Sequence, residues 1–232
     1  MKKRWAMAAA VGGLAAAGVA WQAVEGREDL RRFPPPGEMI PLPDGRRLHI
    51  LRSGVPNGAA PTIVFEAALA ASSIGWELVL PAVAEFAPVL AYDRAGLGWS
   101  DAPPRRVAGR DRTAADMVED LRALLASAGV PRPVILAGHS YGGLLARLYA
   151  ALYPSEVAGL ALVDAAAPEQ WTAISDRDQL RLKVGRHLAR RGVWAARLGL
   201  ARLVMQLALA RGPGQPPDSR PSPPAADGDA GT

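Results

Sequence analysis

The segment Gly138-His139-Ser140-Tyr141-Gly142-Gly143 sets a serine with a glycine two residues to either side. That spacing suits a sharp turn in which small neighbours let other backbone come close to the hydroxyl. A serine so placed is a candidate nucleophile for an acyl carbonyl, provided that a histidine takes its proton and a carboxylate orients the histidine. Histidine is scarce here. The chain has only His49, His139 and His187, and it has no cysteine, which excludes disulfides and thiolate metal sites. His139 adjoins the serine, but alternation along an extended segment turns it to the opposite side. His49 lies far upstream in a hairpin pattern. His187 lies downstream in a basic helical pattern, where a single polar residue on a helix is the plainer reading. No metal or cofactor is expected.

The flanking patterns say what must hold the serine. Pro133–Ala137 reads as a strand and Gly142–Tyr153 as a helix, so Ser140 falls at a strand-to-helix turn. The positive end of that helix would face any oxyanion formed at the serine. Upstream, Met39–Leu42 and Arg47–Leu51 flank Asp44-Gly45, a hairpin signal. Thr62–Glu66 and Pro88–Tyr92 are short apolar runs suited to buried strands, with a helix pattern between them over Trp76–Phe86. Thr113 opens a helix to Ala128, with Asp116 as its capping-box partner and Gly129 as its stop. Val157–Val163 reads as a further strand. Strands alternating with helices imply βαβ units and a mostly parallel sheet.

On these motifs the chain resembles a known family. Pro133–Tyr153 is similar to the nucleophile region of the α/β-hydrolase superfamily, and Tyr92–Asp101 to its signature after the fourth strand. Val64–Leu69 aligns with the loop after the third strand, where many members carry His-Gly. The likeness runs from about Pro35 to Asp164, and is to membrane-anchored bacterial members of the group. It implies an α/β-hydrolase fold: a mostly parallel sheet of about six strands with flanking helices, a partial helical cap, and the last strands missing. It implies an oxyanion hole built from the backbone N–H groups of Leu69 and Tyr141. Ala68 stands where the family favours glycine, and would be strained if the loop needs a positive φ there. The pair Asp93-Arg94 with Gly96 and Gly98 is read as shaping the loops beside the pocket. In this family the acid and the histidine follow the serine. Asp164 is a possible acid, though a turn role is commoner. His187 falls in the cap, so no base is assigned. A truncation or frameshift near Arg211 would account for the missing strands.

The ends of the chain differ from this body. Residues 1–24 carry Lys2-Lys3-Arg4 and then a run from Trp5 to Val24, about the length of a bilayer core as a helix. A transmembrane anchor with the body outside the cytoplasm is expected, with a cleaved secretory signal as the alternative. Residues 25–37 read as a stalk ending in Pro34-Pro35-Pro36-Gly37. The core is expected over 38–168 and the partial cap over 169–211. Residues 212–232, rich in Gly, Pro, Ser and Asp, cannot bury a core and are expected to be disordered. The net charge of +5 is concentrated: the span from Trp171 to Arg211 carries nine Lys/Arg against Asp176 and Asp178. The rest of the chain is slightly acidic, so nucleic acid is not an expected partner. Two functional readings stand side by side. One is a serine hydrolase of small acyl esters acting through Ser140, incomplete as it stands. The other is a catalytically inactive fragment of that fold serving as a membrane-attached binding domain. Haloperoxidase or lyase chemistry on the same scaffold is a third.

Overall fold

The computed structural model describes residues 2–54, 60–103, 110–169 and 175–210; the tail expected over 212–232 lies outside them. The chain forms two compact units, Asp29–Leu180 and, separately, the residues up to Glu28 together with those from Arg181 on.

The larger unit is built on a six-stranded sheet: β1 (Glu38–Pro41), β2 (Arg47–Ser53), β3 (Ile63–Glu66), β4 (Val89–Tyr92), β5 (Val134–His139) and β6 (Val157–Val163). Its spatial order is β1-β2-β4-β3-β5-β6, with β1 and β2 antiparallel and the other four parallel. Alternation sorts the strand residues onto two faces. Ile50, Val64, Leu90, Tyr92, Val134 and Leu136 face α3 (Ala114–Ser127) and α4 (Tyr141–Leu152), which supply Val118, Leu121, Leu124, Leu145 and Tyr149. Phe65, Val89, Ala91 and Ala137 face Trp76 and Leu80 on the other side. Each fully buried Leu or Val among these contributes about 1.5–3 kcal/mol. β6 is an edge strand among the described residues, pairing with β5 alone, and Leu160, Leu162 and Val163 are 41%, 40% and 47% exposed.

Local signals explain most boundaries. α3 begins at an N-cap, Thr113, whose N–H donates to Asp116 Oδ2 at 2.7 Å in the expected capping box. The helix expected over Trp76–Phe86 is instead a 3₁₀ turn, Ser73–Trp76, and a five-residue α2, Leu80–Ala84. Pro81 explains this, because proline is tolerated in a first turn but cannot continue a helix begun earlier.

α1 (Lys2–Arg32), most of which belongs to the smaller unit, runs on into the stretch expected to be a stalk. Charged Glu and Arg are good helix formers, and nothing breaks the helix before Pro34. Among the described residues no single helix is long and apolar enough to cross a membrane, so the span expected over 1–24 is not supported. Ala and Gly dominate that run, and their small side chains add little transfer energy. The basic segment forms α5 (Asp176–Arg197) and α6 (Leu200–Ala210), which are bent by 85° across a break at Gly199 (φ +73°).

Candidate active site

The carboxyl ends of β3, β4, β5 and β6 lie along one edge of the sheet. From β3 the chain steps to β4 on one side and later to β5 on the other, so a crevice opens outside the ends of β3 and β5. Glu66 pairs with Gly138 in register, which brings the residues after each strand to the same level. Leu69 therefore follows one wall of the crevice, and Ser140 and Tyr141 the other.

Ser140 occupies a backbone conformation of φ 53° and ψ −120°, rare for a residue with a Cβ and costing about 1–3 kcal/mol. Its surroundings impose that conformation. The Ser140 N–H donates to Val163 O at 3.3 Å, and the Ser140 carbonyl accepts from Gly143 N and Ala166 N, both at 3.0 Å. Gly142 permits the close approach, since a Cβ there would lie 2.3 Å from Glu66 O and 2.6 Å from Ala67 O. The serine is thereby lifted clear of the sheet at the N-terminus of α4, where backbone N–H groups lack intrahelical partners.

Tyr141 is the first residue of α4, so its N–H is one of those unpaired donors. The Leu69 N–H makes no hydrogen bond among the described residues. Its direction is set from behind by Arg94. That guanidinium donates to Ala67 O at 2.7 Å, to Leu69 O at 2.9 Å and also to Ala68 O. In a trans peptide the N–H lies opposite the carbonyl, so binding Ala68 O turns the Leu69 N–H away from Arg94. Ala68 keeps a negative φ, so its Cβ brings none of the strain that a positive φ would.

Arg94 is itself held by a buried network that sequence reasoning did not find. It pairs with the Glu66 carboxylate, which also accepts from the Tyr92 hydroxyl; Glu66 is 1% exposed and Arg94 7%. Burial pushes the Glu66 carboxyl up, with Arg94 and Tyr92 pulling against it, and burial likewise pushes the Tyr92 phenol up. Beside the network a cavity of about 330 Å³ is lined chiefly by apolar groups, among them Leu69, Leu97, Met117 and Tyr141, with Arg94, Arg112 and Asp120 as polar members. Ser140 is not among its lining residues, although both expected oxyanion donors are.

A buried histidine–carboxylate pair does exist, elsewhere. His49 Nδ1 lies 3.0 Å from Asp93 Oδ2, and Ser73 Oγ lies 3.5 Å from the same nitrogen. These are the residue types of a catalytic triad, all at 0% exposure. Their hydrogen bonds are spent on structure. The Gly37 N–H donates to His49 Nε2 at 3.2 Å, so the ring proton sits on Nδ1 and is given to Asp93. Asp93 also accepts from the Ser73 and Trp99 N–H groups at 2.6 and 3.0 Å. Burial pushes the Asp93 carboxyl up, but the bonds from His49, Ser73 and Trp99 outweigh it and hold it below the ordinary range. β2 stands three strand spacings from β5, roughly 14 Å, so His49 cannot serve Ser140.

The remaining candidates are no closer to a triad. The His139 ring meets the Trp76 ring edge-on with centroids 6.3 Å apart. Asp164 is exposed at the end of β6 with φ 43° and has no hydrogen-bond partner among the described residues. His187 is exposed on α5, in the other compact unit. The Ser140 hydroxyl itself has no hydrogen-bond partner among the described residues. Among the described residues no group of three or more His, Cys, Asp or Glu is placed to hold a metal.

Comparison with known proteins bears on this geometry. The sequence model of the alpha/beta hydrolase fold family matches residues 61–190. The uncharacterized protein YqjL of Bacillus subtilis is 34% identical over 105 residues, which is 45% of this chain and 40% of that protein. A hydrolase from Pseudomonas aeruginosa superposes with a TM-score of 0.54 at 24% identity, over 67% of this chain and 54% of that one, a likeness of fold. A membrane phospholipase A superposes with a TM-score of 0.50 at 26% identity, over 72% and 53% of the two chains. The chain thus spans about half the length of these structures, and less of its curated relative.

Proposed function

The chain belongs to the α/β-hydrolase fold family, and on that premise we propose that it is a serine hydrolase of ester-type acyl substrates acting through Ser140. The observation that carries this reading is the strained Ser140 turn at the β3/β5 crevice, with the Leu69 and Tyr141 N–H groups there making no hydrogen bond among the described residues. In this reading Ser140 Oγ attacks the acyl carbonyl, and the carbonyl oxygen, gaining negative charge, accepts from both amides. Donors fixed in advance for that charge are worth about 10²–10³ in rate each. The chiefly apolar cavity bounded by the same two residues suits an uncharged acyl chain.

The hydroxyl proton needs a base, and the described part of the 29–180 unit offers none within reach. This favours a second reading, a catalytically inactive binding domain on the same fold. Even without a base, an oxyanion hole and substrate binding can sustain about 10³–10⁴-fold catalysis over water. The two readings are separated by a fluorophosphonate probe and a p-nitrophenyl ester. Slow labelling and hydrolysis that vanish together in Ser140→Ala support the enzyme. Absence of labelling on prolonged exposure, or labelling that persists in Ser140→Ala, sinks it.

A further inference from the structure

The smaller unit is arranged the wrong way round for water. The side of α1 that is partly covered carries Gly18, Trp21, Gln22 and Glu25, while Met7, Leu14 and Val24 are 70%, 75% and 61% exposed. The contacts inside the unit are small or polar. A Cβ at Gly18 would lie 2.4 Å from Leu198 O, and one at Gly199 would lie 2.8 Å from the Trp21 ring. Arg202 Nε donates to Gln22 Oε1 at 3.1 Å, its guanidinium stands 3.9 Å from Glu25, and Trp21 Nε1 donates to Glu25 at 3.2 Å.

Arg202 therefore marks the inner side of α6. At 3.6 residues per turn the opposite side carries Leu200, Val204 and Leu207, which are 50%, 65% and 49% exposed. A helix of a soluble unit turns its apolar stripe inward and its charges outward; α6 instead covers its one charged residue, Arg202, and leaves apolar residues exposed around it, Leu209 at 76% on the Arg202 side among them. The preceding helix supplies charge. On α5, Lys183, Arg186, Arg191 and Arg197 share an arc of about 140° with Trp194 near its centre, and all five are exposed.

We propose that α5 and α6 dock flat on an anionic lipid surface, with the apolar side of α6 among the acyl chains and the cations of α5 at the phosphates. Charge complementarity selects this occupant. A protein partner would need only the apolar side of α6, whereas lipid phosphate also accounts for the clustered cations and the tryptophan among them, the arrangement that suits a membrane interface. Geometry excludes a spanning role for α6 alone, since its 11 residues cover roughly 16 Å against a hydrocarbon core of about 30 Å. The proposal concerns attachment and does not depend on whether Ser140 is active.

The test is co-sedimentation of the full chain with vesicles of phosphatidylcholine alone and with about one-third phosphatidylglycerol. Binding to the anionic vesicles is expected to be at least about tenfold tighter, and to collapse in roughly 0.5 M salt. The pair Val204→Asp and Leu207→Asp should weaken binding to both vesicles by about tenfold or more at unchanged helix content. Because that variant could also disturb the unit, Arg186→Glu with Arg191→Glu gives a second reading: it should abolish the anionic preference alone. Ser140→Ala should bind as the parent does. Failure to pellet, or equal and salt-insensitive pelleting with both vesicles, overturns the proposal. So does a parent dimer that the Val204→Asp and Leu207→Asp pair converts to monomer, because the apolar side would then be a protein interface.

Discussion

Arg94→Met removes the cation from a pair that is almost wholly buried, with side-chain exposures of 7% for Arg94 and 2% for Glu66. The Glu66 carboxylate then keeps only the Tyr92 hydroxyl, and three loop carbonyls lose their donor. Breaking a buried pair from one side costs about 3–5 kcal/mol, because the remaining charge has no counterion. For a domain of this size each kcal/mol lowers the melting temperature by about 2–4 °C, so a fall of roughly 6–20 °C is expected. Glu66→Gln should cost far less, about 1–2 kcal/mol, since Arg94 retains its three carbonyls and Gln still accepts from Tyr92. The double variant should recover most of the Arg94→Met loss. The pH dependence adds a second signature. Burial already holds the folded-state pKa of Glu66 above its unfolded value with Arg94 in place, and losing Arg94 raises it further, so the added penalty is absent below the unfolded pKa and grows as pH rises past it. Urea unfolding followed by tryptophan fluorescence from pH 4 to 8 measures all of this. A loss in Arg94→Met below about 1 kcal/mol, or one no larger than that of Glu66→Gln, would refute the reasoning.

Ser140→Gly should stabilise the fold by about 1 kcal/mol, because glycine adopts φ 53° without strain; an unchanged urea midpoint would contradict this. Gly142→Ala should cost about 3 kcal/mol or more, since the new Cβ meets the carbonyls of β3's end; unfolding midpoints report it directly. Asp93 contributes stability that is complete above the ordinary carboxyl pKa and is lost as pH falls through that range toward its depressed folded value. Asp93→Asn should therefore be less stable at neutral pH and show a flatter acid limb below about pH 4, measured by unfolding across pH.

How much of this was legible in the sequence follows from how far apart the determinants lie. The turn at Ser140, the capping box at Thr113 and the strand Val157–Val163 are written in contiguous residues, and a reading of periodicity and spacing reaches them. The Asp93-Arg94 signature could be assigned a loop-shaping role, but its partners could not be read, because Glu66 and Arg94 meet only through pairing of β3 with β4. The pair His49–Asp93 was equally hidden, 44 residues apart and joined by the pairing of β2 with β4. Local chemistry misled in two places. Pro81 split the helix expected over Trp76–Phe86, and the charged stretch after Val24 stayed helical rather than loosening into a stalk. That the chain has only three histidines was legible in the sequence; the structure adds that His49 has both ring nitrogens engaged in hydrogen bonds.

The open side of β6 has a bearing on how this protein must be handled. Among the described residues no strand pairs with its outer side, where alternate residues turn their amide and carbonyl groups, and apolar side chains flank them on the exposed surface. Any extended chain brought alongside, including another copy, finds a ready template there. Pairing of copies along this edge would make the melting point depend on protein concentration, which a dilution series measures. A charged residue in place of Leu160 would blunt the edge without touching Ser140, giving a form whose properties hold constant on dilution.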